Sequence, residues 1–306
     1  MEEQSTVILS PCVIVPSHIS NINKTKMLIQ CLQSLLDQTV KIKIYLSISF
    51  GSELDKTLFD RFIERIDLLN NRFLSIIYQE KQTSQFRHIE NLIEIVKDKH
   101  NWIMFCDDDD TYELNRVEIF MEMIFVGYER MPEGKLFVAV YEKEEETHTE
   151  RFYEYWSYCV NIDFIIQFFN KIKFNSYDYI IDHKFCDVLF ATYLRCLDNT
   201  HYFTSLKIKL YNYNVNNEYS ITSQIKKNKI KFGKGDNVNK IINKNINDIL
   251  DNITLLTFYR NSFDTLISST FHQKMTISKD NLKILEAHHI SIKKICELLY
   301  MYNSFG

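Results

Sequence analysis

Four carboxylates stand side by side in the segment Trp102-Ile-Met-Phe-Cys-Asp107-Asp108-Asp109-Asp110-Thr-Tyr. They follow directly on an apolar strand candidate, residues 101–106. Adjacent negative charges repel by about 1 kcal/mol per close pair even in water. At the C-terminal end of a parallel strand they would open on the crevice where α/β sheets bind ligands. A divalent cation relieves that repulsion. Hard Mg2+ or Mn2+ takes one or two protein carboxylates and completes its shell with water and substrate phosphate oxygens. The other reading is an acidic turn ahead of the helix expected over residues 115–126, where carboxylates suit the positive end of the helix. An EF-hand is excluded, because the loop glycine and terminal glutamate it requires do not occur.

The glycines exclude the alternative ways of holding a phosphate. There are six, Gly51, Gly127, Gly134, Gly233, Gly235 and Gly306, with three prolines in 306 residues. None falls into G-x-G-x-x-G, G-x-x-x-x-G-K-[ST] or G-x-S-x-G, so a dinucleotide fingerprint, a P-loop and a nucleophile elbow are all absent. A carboxylate-bound metal is the substitute. The net charge of −4 argues against a general nucleic-acid binder. A hydrophobic share of 45% and a charged share of 25% are the ordinary globular mixture, enough for a sizeable core. Seven scattered cysteines without a C-x-x-C read as reduced, buried thiols, and the expected location is cytoplasmic. The acidic opening MEEQST lacks a signal-peptide n-region, and no apolar run reaches 18 residues, so no membrane span is expected.

The elements that must position the carboxylates follow from periodicity. Strand candidates cover residues 7–15, 41–49, 73–78 and 101–106, the first interrupted by Pro11 and ended at Pro16. Helical spacing covers 24–38, 55–70 and 85–97. The first 110 residues therefore read βαβαβαβ, which implies a parallel sheet with helices on both faces. Further on come a helix over 115–126, a strand over 135–141 and a charged stretch, Glu142 to Glu150, expected as a solvated loop. An aromatic block at 151–163, a helix over 183–197 and an extended run over 203–215 follow.

The stretch FCDDDDTYELNRV, residues 105–117, resembles the metal-binding segment of the A-fold (GT-A) glycosyltransferases, particularly the family 2 type. That pattern is an apolar strand, D-x-D-D, an aromatic and a basic residue starting a helix. Three more blocks agree in order and spacing. VIVPSH resembles the first strand, whose end lies beside the nucleotide base; SISFGSELDKT resembles the second strand and its turn; SQFRHIENLI resembles the segment that carries a basic residue toward the donor. The resemblance covers roughly residues 7–225. It implies Asp107 and Asp109 as the metal pair for Mn2+ or Mg2+, with Asp109 the most direct ligand. Asp107 and Asp108 also meet the donor, and Asp108 or Asp110 assists through the ribose or a bound water. Pro16, Ser17, Ser49 and Arg87 complete the donor side. Where the family carries an acid that contacts the base, this chain has Ser49 and Phe50; Phe50 is either core or a stacking surface for the base.

On the acceptor side the resemblance implies a general base before an apolar helix. Asp182 and Asp187 are the candidates in IIDHKFCDVLFATYLRC, and Asp187 fits better; an ordinary helix cap is the other reading. His183 is either a site residue or an exposed histidine without a role. In Phe152-Tyr-Glu-Tyr-Trp156-Ser-Tyr158 most rings read as core, with Trp156 the candidate to stack on a sugar. The segment QIKKNKIKFGKG, with Lys226, Lys227, Lys229, Lys231 and Lys234, is either a solvated charge run or a loop that closes over a diphosphate. The terminal amphipathic pattern reads as core packing, then as a homodimer contact, and last as membrane association.

The expected fold class is α/β, a Rossmann-like GT-A arrangement with a mostly parallel central sheet flanked by helices and a C-terminal helical extension. Residues 1–225 form the transferase domain, divided into a nucleotide-sugar half (1–114) and an acceptor half (115–225), and residues 226–306 the basic loop and extension. The expected activity is metal-dependent, inverting transfer of a sugar from a nucleotide-diphosphate sugar, taken as a UDP-sugar, to a hydroxyl of a saccharide or glycoprotein. Two rivals are a degenerate binder of sugars or partners, and a nucleotidyltransferase. The latter calls for a glycine-rich, basic signature near the first strand, which VIVPSHISN lacks.

Overall fold

The computed structural model describes residues 9–143, 154–174, 181–182, 186–197 and 201–214. The chain divides into two units, Met1–Asn214 and Val215–Gly306, and every described residue lies in the first. His183, the lysines from Lys226 to Lys234 and the expected helical extension fall outside the described residues.

The expected alternation is present. Strands β1 (Pro11–Ile19), β2 (Lys43–Phe50), β3 (Leu74–Tyr78) and β4 (Trp102–Phe105) alternate with helices α1 (Ile22–Leu36), α2 (Glu53–Arg65) and α3 (Gln85–Val96). Beyond them lie β5 (Thr111–Tyr112), α4 (Arg116–Arg130), β6 (Phe137–Glu142), a short 3-10 turn (Tyr155–Ser157) and β7 (Tyr158–Asn161). Helices α5 (Ile162–Phe174) and α6 (Cys186–Leu197) and strands β8 (Tyr202–Leu206) and β9 (Tyr211–Asn212) complete the unit. Seven strands form one sheet in the order β3-β2-β1-β4-β7-β6-β8, and β5 pairs with β9 in a small second sheet. Only β7 runs against its neighbours in the large sheet.

Both faces of this sheet are covered, so its central strand β4 is apolar throughout, while β1 and β2 bury Ser17, Ser47 and Ser49 toward their C-terminal ends. All four residues of β4 are buried. On one face Val13, Val15, Ile44, Leu46 and Met104 pack with Leu28, Leu32 and Leu35 of α1, Phe59 of α2 and Phe120 of α4. On the other, Phe105 and Phe86 of α3 meet Phe190 of α6, and Phe86 also meets Phe168 of α5, with ring centroids 5.7–6.3 Å apart. Helix starts are set by short polar caps: the Asn21 side chain accepts from the Asn23 and Lys24 N–H groups, and Ser84 caps α3 through the Arg87 N–H.

The first strand does not stop at Pro16. It continues to Ile19, paired in register with Phe50. The reason is one of parity. The Ile14 carbonyl accepts from the Cys106 N–H on the β4 side, and the Ile19 carbonyl accepts from the Gly51 N–H on the β2 side. Pro16 therefore directs its backbone toward β4, whose ladder with β1 ends at Ile14–Phe105. No ladder bond is forfeited there, so a proline is tolerated. Glu142 also departs from expectation. It ends β6 and is buried, because a charged partner waits for it inside.

Candidate functional site

The chain runs from β1 outward to β3 on one side and then places β4 on the other side of β1. The sheet thus reverses its winding between β1 and β4, and α/β sheets bind ligands outside the carboxyl ends of their strands at such a point. Asp107 to Asp110 leave the end of β4 at that place. They do not cap α4, whose N-cap is Asn115 and which begins only after the β5 strand.

Each carboxylate has its own surroundings. Asp107, Asp108 and Asp109 keep partial exposure, whereas Asp110 is 1% exposed. Oδ1 of Asp107 accepts from the Tyr155 hydroxyl and from Gln85 Nε2, the latter at 2.8 Å. Among the described residues its Oδ2 takes no hydrogen bond. Ser17 Oγ, on β1, donates to Oδ2 of Asp108 at 2.6 Å. Asp110 is engaged on both oxygens, Oδ1 by the Asn214 N–H at 2.7 Å and Oδ2 by the Tyr211 hydroxyl at 2.8 Å. The same hydroxyl accepts from the Asp107 N–H at 3.0 Å and so ties the two ends of the turn together.

The electrostatics are those of crowded anions. Burial, then the charges of Asp110 and Asp109, raise the Asp107 carboxyl well above its ordinary range. Burial and then Asp109 raise Asp108 to about 6, against the opposing pull of Lys24 and the Ser17 hydroxyl. Burial raises Asp110 to about 7, although the Asn214 N–H favours its charge. Burial and mutual repulsion at Asp107, Asp108 and Asp110 outweigh the pull of Lys24 and favour protonation there. Among the described residues no three His, Cys, Asp or Glu side chains converge into a ready-made metal cage. The donor set fits a hard divalent cation that takes one or two carboxylates and draws its remaining ligands from elsewhere.

The other expected site residues are placed as follows. Pro16 is buried within β1, beside Ser17 and three residues before the strand ends at Ile19. Ser49 is fully buried and stands in a polar chain: its Oγ lies 2.9 Å from His18 Nδ1 and 3.1 Å from His88 Nε2, while Ser47 Oγ lies 2.8 Å from His88 Nδ1. Burial lowers His88 to about 4, so the ring is neutral at pH 7. Phe50 is half-buried against Phe59 and Tyr78. Arg87 forks onto Asp182, Nε to Oδ1 at 3.1 Å and Nη2 to Oδ2 at 2.7 Å, and reaches Glu90 Oε2 through Nη1 at 2.6 Å. Asp187 stands in the first turn of α6; the Tyr155 phenol is raised by burial, then by Asp107, and to a lesser degree by Asp187. Trp156 stacks on Tyr211 at 4.2 Å and on Tyr213 at 5.7 Å. The turn therefore gathers Ser17 and Asp107 to Asp110, while Asp187 stands on α6, the helix that packs on the Tyr155–Ser157 turn. Arg87 is joined instead to Asp182.

Sequence reasoning overlooked Gln85, Tyr155, Tyr211 and Asn214. Gln85 and Tyr155 lie a position or two from Arg87 and Trp156, whereas Tyr211 and Asn214 fall in the extended run over 203–215, where no residue was singled out. Gln85 begins α3 and faces Asp107, whereas Arg87 points to Asp182 from the same turn. Periodicity marks such a segment but leaves its rotation about the helix axis unset.

No family model matches the chain, and no curated protein does. Solved structures overlap it weakly. Residues 1–349 of S. aureus TarS in complex with UDP superpose with a TM-score of 0.47 at 13% identity, over 97% of this chain and 87% of that one. The longer S. aureus TarS chain gives 0.45 at 12%, over 97% of this chain, and this chain spans 53% of its length. GalNAc-T7 with UDP, GalNAc and Mn2+ gives 0.34 at 14%, over 45% of this chain and 23% of that one. At this level of similarity nothing about ligands or reaction passes from those proteins to this one.

Proposed function

We propose that this chain is a metal-dependent glycosyltransferase that moves a sugar from a nucleotide-diphosphate sugar, a UDP-sugar in the first instance, to a hydroxyl acceptor with inversion. One observation carries the reading: a run of four carboxylates, crowded enough to favour protonation at three of them, sits at the winding reversal of a mostly parallel sheet. That is where a nucleotide would lie, and the chain has no glycine cradle for its phosphates. Asp109 and the unengaged oxygen of Asp107 would hold Mn2+ or Mg2+. Such an ion supplies Lewis-acid stabilisation of the leaving diphosphate.

The remaining chemistry belongs to the chain's own groups. Tyr155 and Gln85 fix the Asp107 carboxylate from one oxygen and leave the other to face the ligand. Ser17 orients Asp108 at the donor side. Asp187 accepts the proton of the acceptor hydroxyl as its oxygen attacks the anomeric carbon. Asp182 is less suited, because the Arg87 fork holds its carboxyl below the ordinary range and makes it a weaker base.

The test is a donor-hydrolysis screen with a panel of nucleotide-sugars and Mn2+, read as free nucleoside diphosphate. We expect slow release that disappears with EDTA and in Asp109→Ala. Full activity in Asp109→Ala would remove this mechanism, and pyrophosphate as the product would point to nucleotidyl transfer instead.

A further inference from the structure

We infer that the buried Arg116–Glu142 pair is a positioning device for the aspartate turn, acting through Tyr211. The inference rests on the metal-site reading above. Arg116 opens α4 and is fully buried. Its guanidinium lies over the rings of Tyr112, Tyr211 and Phe120, at 4.2, 4.8 and 4.9 Å from their centroids. One terminal nitrogen, Nη2, donates to the Trp156 carbonyl at 2.9 Å and stands 3.1 Å from Glu142 Oε1. The second oxygen of Glu142 accepts from the Leu210 and Tyr211 N–H groups at 3.0 and 3.1 Å. The hydroxyl of Tyr211 in turn meets the Asp110 carboxylate and the Asp107 N–H.

The geometry forms a closed relay. Glu142 fixes the backbone of Tyr211, Arg116 fixes Glu142, and the same cation fixes the carbonyl beside Tyr155, whose hydroxyl holds Asp107. Four segments distant in sequence converge on one buried charge pair and come out at the two ends of the turn. A buried ion pair is a poor device for stability alone, since apolar packing of equal volume does as well. Its value here is register. It sets where the second oxygen of Asp107 and the neighbouring Asp109 stand, as outer-shell groups do around metal ligands.

The experiment uses the full chain and Mn2+ alone, followed by loss of the free-ion electron paramagnetic resonance signal. Glu142→Gln keeps the volume but loses the charge and one acceptor. Tyr211→Phe keeps the ring and removes only the hydroxyl. Both variants should bind Mn2+ at least tenfold more weakly than wild type, with near-UV circular dichroism preserved. The double variant should be no weaker than the worse single one, because both act along one path. A purely structural pair would lower Tm and leave Mn2+ affinity unmoved. Wild-type affinity in folded Glu142→Gln, or additive losses, overturns the inference. If Glu142→Gln does not fold, Tyr211→Phe decides it: tenfold weaker binding supports the relay and unchanged binding refutes it. Failure of the wild type to bind Mn2+ overturns instead the metal reading on which the inference stands.

Discussion

Asp182 and Asp187 are the two candidates for the proposed general base, and their neighbours separate them. The Arg87 fork keeps Asp182 charged and weakly basic. Asp187 stands in the first turn of α6, the helix that packs on the Tyr155–Ser157 turn. Asp187→Asn should therefore cost roughly 100-fold or more in transfer rate while Mn2+ binding stays at the wild-type level. Asp182→Asn should spare the transfer rate and act on stability, through the loss of a half-exposed ion pair worth about 1 kcal/mol or less, and on the order of substrate loading. Steady-state rates and metal titrations on the two variants test this directly.

His88 offers a pH prediction. Its folded pKa of about 4 lies below its ordinary value of 6.5 because burial disfavours the charged ring. The unfolded chain binds the proton more readily, so His88 favours the fold above pH 6.5 and loses that contribution as pH falls toward 4. The size is on the order of 3 kcal/mol. Asp108 and Asp110 work the other way, since their folded values are raised to about 6 and 7. Urea denaturation of wild type against His88→Gln isolates the histidine: the stability gap between them should narrow as pH drops from 7 to about 4.

At the scale of elements, α4 packs closely on β6 and β8. A Cβ on Gly127 would stand 2.2 Å from Phe137 Cζ and 3.1 Å from Thr204 Oγ1. The ring of Phe137 is wedged among Trp102, Tyr128 and Tyr202, with centroids 5.0–5.2 Å away, and has no room to retreat. Gly127→Ala should destabilise by about 1–3 kcal/mol despite its better helix propensity, measurable by chemical denaturation.

The elements also show what a sequence can carry. β1 to β4 and α1 to α3 were legible because both sheet faces are apolar and the helices are amphipathic, so period alone separates them. β7 was not. It has four residues inside an aromatic block, and it becomes a strand by inserting antiparallel between β4 and β6, a pairing that no local signal encodes. α5 was overlooked although its signal is present: Phe164, Ile165, Phe168, Phe169 and Ile172 are buried on one face, with Asp163, Gln167, Asn170 and Lys173 between them at helical spacing. At the site, four adjacent aspartates after an apolar strand were visible as chemistry. Tyr155 and Tyr211 were not, because their hydroxyls reach Asp107 from far along the chain and any buried tyrosine looks alike in sequence.

For the whole molecule, the winding reversal between β1 and β4 places the aspartate turn on structure whose backbone is held on both sides. Among the described residues no helix is long and apolar enough to cross a membrane. A ligand that binds only the folded chain must raise its melting temperature. UDP with Mn2+ at 100 times its Kd should add about 2.7 kcal/mol. Differential scanning fluorimetry should show a shift of several degrees for wild type and none for Asp109→Ala.

The opening turn of α3 has a consequence for kinetics. Gln85 touches Asp107, Arg87 grips Asp182 ahead of α6, and His88 plugs the interior between β1 and β2. These side chains share barely more than one revolution of backbone and cannot shift independently. If the proposed function holds, occupation of the nucleotide side should be felt on the acceptor side, and the reverse. The two substrates should then load in a compulsory sequence, with a dead-end analogue of the second competitive against it and uncompetitive against the first, whereas Arg87→Ala should let them enter at random.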